Sequence, residues 1–140
     1  MAGLESLIKL HKHELDKKRQ ILAKLYDIQD VLLREQKKIE DEFAVEKQSV
    51  SENSDISFIF ADYAEAVKMK LEINAAKQKE IETQIEKAKD SMMETFSDLK
   101  KYEKTQELRE KKKQQARDKK EVQELDDIAI ESFRRKTVEE

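Results

Sequence analysis

His11 and His13 are the only imidazoles in the chain. An i, i+2 pair on a helix points its rings to different faces, unlike the i, i+4 pair that grips zinc. No metal site is expected from them, and His11, which falls on the apolar seam described below, reads as a polar residue that fixes helix register. Carboxylates are plentiful, but acid/base catalysis needs a pair held in a pocket that moves their pKa values, and two helices side by side enclose no such pocket. Gly3 is the sole glycine, so neither a P-loop nor a dinucleotide fingerprint can be written. Without cysteine there is no thiol nucleophile, thiolate metal site or disulfide framework. The chain is expected to bind rather than react, with no enzyme activity and no cofactor.

Two clusters could bind partners. The stretch from Lys111 to Lys120 is locally basic, which raises nucleic-acid binding through counterion release. Asp118 interrupts it and Glu110 and Glu121 flank it, no aromatic side chain is available for stacking, and the sequence pI is about 5.6. A solvated helix, or one inserted in an acidic protein channel, fits that composition better. It also lacks the bulky apolar face that membrane-surface binding requires. The second cluster is Phe58, Ile59, Phe60 and Tyr63, more large side chains than one seam can bury. They either form an exposed binding site or seal the end of a helix pair against Val50 and Ile56.

The elements that carry these residues follow from composition. Charged residues make up 44% of 140 and aromatic ones 6%, too little apolar material for a thick core. The charges nearly cancel, at a net of -3, and strong helix formers lie between them without a single proline, so ordered helix is expected over disorder. Leu4, Ile8, Leu15, Leu22, Leu25, Leu32, Ile39 and Phe43 share one heptad seam, interrupted by His11, Lys18, Gln29 and Gln36. Leu7, Ile21 and Ile28 form a second column beside it, predicting a wider stripe in the first half of this helix. The run from Ser49 to Ser57 carries four serines, Asn53 and Asp55, whose side chains compete with helical hydrogen bonds, and predicts a turn over about 51–57. Asp55 or Ser57 could cap the following helix, with Ile56 as a hydrophobic staple. The rhythm then resumes through Phe60, Ala64, Val67, Leu71, Ile81, Ile85, Ala88, Met92, Leu99 and Tyr102, with Asn74, Gln78 and Thr95 as polar interruptions.

The expected fold is all-α, with helices over about 4–50 and 58–135 folded into an antiparallel coiled-coil hairpin as a single elongated domain. At about 1.5 Å per residue the helices would measure roughly 70 Å and more than about 110 Å. Doubling the chain at Asn53 places Leu4 near residues around Tyr102 and Leu15 near the residues around Glu94 to Thr95, and leaves the rest of the second helix as an overhang. The sequence agrees, because Leu108 and Ala116 are the only apolar residues between Glu103 and Glu121. Apolar character returns at Val122, Leu125, Ile128, Ala129, Ile130 and Phe133 before Arg134-Arg135-Lys136, cations suited to a helix C-terminus. The alternative is a parallel dimeric tether in which the serine-rich run is only a skip. The N-terminal residues form no uninterrupted apolar stretch, and no segment approaches the roughly 18 apolar residues of a membrane span, so a cytosolic soluble protein is expected.

The Leu4-x-x-Leu7-Ile8 start, the helix to about Val50, the serine-rich turn, the aromatic-led second helix and the tail Leu125-Asp126-Asp127-Ile128-Ala129-x-x-x-Phe133-Arg134-Arg135-Lys136 together resemble the flagellar export protein FliJ family and its injectisome counterparts. The resemblance covers essentially the whole chain in length and layout, and the family has no invariant catalytic motif. It implies a cytoplasmic component peripheral to the inner-membrane export apparatus, monomeric in isolation, with paired helices similar to those of a rotary ATPase gamma subunit. The free termini would enter the pore of a hexameric export ATPase and promote its assembly and activity. The turn end would face the export gate membrane protein, and the chain would also escort empty export chaperones. On this sequence the ring end is Leu4 to Leu15 with Arg109, Lys113, Arg117, Leu125, Phe133 and Arg134. The gate end is Phe58, Phe60, Tyr63 and Val67. Nucleic-acid binding and membrane insertion are not implied.

Overall fold

The computed structural model describes residues 2–51 and 57–139, with side chains over 3–50 and 59–138. The described residues are all helical: α1 spans Ala2–Ser51 and α2 spans Ser57–Glu139. Uninterrupted helices of this length follow from strong helix formers with no proline to remove a backbone donor. Where threonines occur in α2, the hydroxyls of Thr83, Thr105 and Thr137 donate back to the carbonyls of Lys79, Lys101 and Phe133, which keeps them compatible with the helix. Glu5 in the first turn of α1 and Lys136 in the last turn of α2 carry the charge signs that the helix dipole favours. The serine-rich turn expected at 51–57, with the caps proposed for Asp55 and Ser57, the Ile56 staple and the Val50–Phe58 contact, falls on or against residues outside those described.

The heptad seam is where burial occurs. Each apolar seam position from Leu4 to Phe43 on α1, and from Phe60 to Tyr102 on α2, is buried or half-buried, as are the polar positions between them. Ile8, Leu15, Leu32, Val67, Ile85 and Leu99 are the most enclosed apolar residues. No large side chain among the described residues is sealed completely, as befits helices that share one narrow stripe. The second column behaves differently. Leu7 is half-buried, but Ile21 and Ile28 are 54% and 46% exposed, so the wider stripe expected in α1 is not covered.

The chain divides into two compact units. One comprises Lys12–Phe96, the other Met1–His11 together with Ser97–Glu140. In the Lys12–Phe96 unit, side-chain contacts pair rising positions of α1 with falling positions of α2: Lys18 with Ser91 and Thr95, Leu32 with Asn74, Gln36 with Gln78, and Phe43 with Phe60. In the other unit the His11 ring meets Tyr102 edge-on at 4.9 Å between centroids, and His11 Nδ1 lies 2.9 Å from the Leu7 carbonyl oxygen.

These pairings lie close to the alignment expected from doubling at Asn53, with Leu32 against Asn74 and Phe43 against Tyr63. The His11 ring meets Tyr102, and Leu4 lines a hollow with Gln106, one turn further along α2, and with Arg109. In the Lys12–Phe96 unit, Lys18 hydrogen-bonds Thr95, and Leu15 and Thr95 are both buried. Apolar seam positions repeat every heptad, so a slip of one heptad leaves leucine against leucine and changes little. Lys18, Gln36, Asn74, Gln78 and Thr95 are matched across the helices, and their unmet hydrogen bonds would penalise a slipped alternative.

Candidate partner-binding surfaces

Polar residues within the seam form two hydrogen-bonded sets. The Lys18 ammonium donates to the Thr95 hydroxyl and, at 3.3 Å, to the Ser91 carbonyl oxygen. Asn74, 4% exposed, donates through Nδ2 to the Leu32 carbonyl oxygen at 3.0 Å. The Gln78 amide then donates to Asn74 Oδ1 and, at 2.6 Å, to Gln36 Oε1, and Gln36 Nε2 donates to Glu40 at 3.0 Å. This chain of amides leads from a buried position to the surface, and no buried side-chain polar atom among the described residues lacks a partner. Such sets fix alignment at a cost in stability; they do not assemble a reactive centre. No metal-ligating cluster occurs among the described residues, and no helix there is long and apolar enough to cross a membrane.

At the start of α2, Phe60 stacks on Phe43 at 5.6 Å and 17°, and Tyr63 approaches both rings, at 6.3 Å from Phe43 and 6.1 Å from Phe60. Aromatic packing of this kind adds to the gain from burial alone. Phe60 is thus a half-buried part of the core, with Tyr63 at its edge. Val67, expected on a partner surface, is 5% exposed and belongs to the seam, because it sits seven residues after Phe60 on the same heptad position. The Phe58 side chain lies outside the described residues. Ile59, 72% exposed, is the most accessible large side chain of the cluster, together with Val45 across from Tyr63 on α1.

The other candidate surface lies in the unit containing Ser97–Glu140. Burial stops after Gln106: each described side chain from Glu107 to Val138 is exposed, including Arg109, Lys113, Arg117, Leu125, Phe133 and Arg134. Arg109 and Lys113 line a hollow with Leu4, Glu5, Gln106, Glu110 and Lys112, so two glutamates share it with these cations. Comparison with known proteins is silent: no protein-family model, curated protein or solved structure matches the chain. Further along, Leu125 and Phe133 stand open to solvent at 66% and 74%. With Val122 and Ala129 they recur at three- and four-residue steps, a stripe that a helical or grooved partner could cover.

Lys89 on α2 lies against Tyr26 of α1. Its ammonium lies 5.9 Å from the centroid of the Tyr26 ring of α1 and 3.9 Å from Glu86. The Tyr26 phenol, and after it the Glu86 carboxylate, hold the Lys89 pKa above its ordinary 10.5. A lysine held more firmly in its charged form is the reverse of one poised as a base or nucleophile. Its role is an inter-helix contact on the surface.

Proposed function

We propose that the chain is a non-enzymatic, cytoplasmic component of the flagellar type III protein export apparatus. In this reading α1 and α2 form an antiparallel coiled-coil hairpin whose unpaired C-terminal arm enters the ring of a hexameric export ATPase, promoting its assembly and activity. The end bearing Ile59, Phe60 and Tyr63 faces the export gate, and export chaperones are further partners. One observation carries the reading: burial ends at Gln106, where the sequence turns from an apolar seam to Arg109, Lys111, Lys112, Lys113 and Arg117. A stalk among several ring subunits should present charge around its circumference, so that no greasy face locks it to one of them. The rising-against-falling pairings, Lys18 with Thr95 and Gln36 with Gln78, support the hairpin part of the reading over a parallel tether.

The test is capture of a hexameric export ATPase and stimulation of its turnover, with the chain truncated after Tyr102 as control. Full-length protein should stimulate and the truncated chain should not. Replacing Arg109, Lys113 and Arg117 with glutamate should weaken stimulation, most at low salt, where charge contacts are least screened. Equal stimulation by the triple variant across a salt titration would reject the role of these cations.

A further inference from the structure

We infer that an exposed flank of α1, beside the seam, binds a second copy of this chain, in antiparallel self-pairing about a two-fold axis near position 26. The inference rests on the exposed second column in the Lys12–Phe96 unit and goes beyond the export reading. Ile21, Ile28 and Val31 are 54%, 46% and 56% exposed, and with Lys17, Lys24 and Glu35 they continue in steps of four and three. That column lies about 100° around the helix from the seam that faces α2, the separation by which one helix can contact two neighbours in a bundle.

The order of charges along the column selects the occupant. Antiparallel pairing that opposes Ile21 to Val31 of a second copy also opposes Lys17 to Glu35 and Glu14 to Lys38, and each contact occurs twice by symmetry. Opposite charges therefore meet on both flanks of an apolar centre, and none of Glu14, Lys17, Glu35 or Lys38 has an ion-pair partner among the described residues. Lys24 falls opposite Ile28, where its aliphatic stem can cover the isoleucine while its ammonium stays in water. Three apolar side chains per copy make a patch smaller than a permanent interface requires, so the association is reversible and set by concentration.

Sedimentation equilibrium of the full chain over about 10 µM to 1 mM should show a monomer–dimer equilibrium. The double variant Ile21→Glu/Val31→Glu, which alters only exposed positions, should stay monomeric with an unchanged thermal melt. Glu14→Lys alone should weaken dimerisation by about tenfold or more, and Glu14→Lys/Lys38→Glu should restore it. Lys38 is exposed and lines a hollow that holds Glu35 and Glu42 as well as Lys70 and Lys77, so an unchanged thermal melt of the Lys38→Glu variant is the control for its fold. Spin labels on Lys24 of two copies should lie roughly 10–15 Å apart, and labels on Lys38 at least about 36 Å. A monomer at every concentration, a dimer indifferent to the Ile21/Val31 change, a charge swap without recovery, or distant Lys24 labels would each overturn the pairing. Ring binding is read separately through ATPase stimulation, since the C-terminal arm is untouched by these substitutions.

Discussion

Lys18 on α1 and Thr95 on α2 are hydrogen-bonded across the seam, the ammonium donating to the hydroxyl although a leucine at position 18 would fill the site with apolar volume. With the Gln36–Gln78 pair, this contact specifies which heptad of α1 faces which heptad of α2. Replacing Lys18 and Gln36 with leucine should therefore raise the melting temperature while loosening alignment. Spin labels at exposed Lys24 and Lys87 should give one narrow intramolecular distance in dilute wild-type protein. The double variant should give a broader or two-peaked distribution; an unchanged width would show that the apolar seam alone sets register.

Stability should be concentrated in the seam and absent from the arm. Leu32→Ala or Ile85→Ala removes a side chain that is 7% or 4% exposed. Each should cost about 2–5 kcal/mol in urea or thermal unfolding. Ile128→Ala, at a position 62% exposed, should change stability by less than about 0.5 kcal/mol. A loss at Ile128 comparable with that at Leu32 would mean that the arm is covered in solution.

Much of this was legible in the sequence, because a heptad repeat leaves few choices once proline and glycine are absent. The two helices, the seam positions and the end of burial near Tyr102 follow from spacing alone. The alignment is fixed less sharply by spacing, since one heptad of slip keeps leucine opposite leucine, and it is Lys18, Gln36, Asn74 and Gln78 that favour one match. Spacing also cannot say whether a second apolar column is covered, which is why Ile21 and Ile28 emerged as exposed. Phe60 and Val67 were seam residues by heptad position as well as candidate contacts by chemistry, and in the folded chain the seam claims them.

The lysine–tyrosine contact on the surface predicts a pH dependence confined to alkaline solution. A folded-state pKa raised above 10.5 gives Lys89 a contribution that is fully present below the unfolded value and lost as pH rises through the folded one. Stability should consequently show no slope from Lys89 between about pH 6 and pH 9 and a decline above about pH 10.5. Comparing urea midpoints of wild type and Lys89→Met at about pH 8 and pH 11 checks this. The gap between them should shrink at the higher pH, and a gap that widens would contradict the raised pKa.

The surface at the start of α2 separates partner binding from stability. Ile59 is 72% exposed and Val67 5%, although both lie within one short stretch of the same helix. Val67→Ala deletes two methyl groups from the seam and should cost about 1–3 kcal/mol, with partner binding reduced only as far as folding is. Ile59→Ala removes apolar surface that stabilises nothing in the isolated chain, so its melt should match wild type. If this end docks on the cytoplasmic part of an export gate protein, Ile59→Ala should weaken that complex by at least about tenfold in a binding titration, the loss typical of a truncated apolar anchor. The reverse pattern, with Ile59→Ala binding normally and Val67→Ala failing to bind while folded, would place the contact on a face that is closed in the free protein. Docking would then require the Phe43, Phe60 and Tyr63 stack to open.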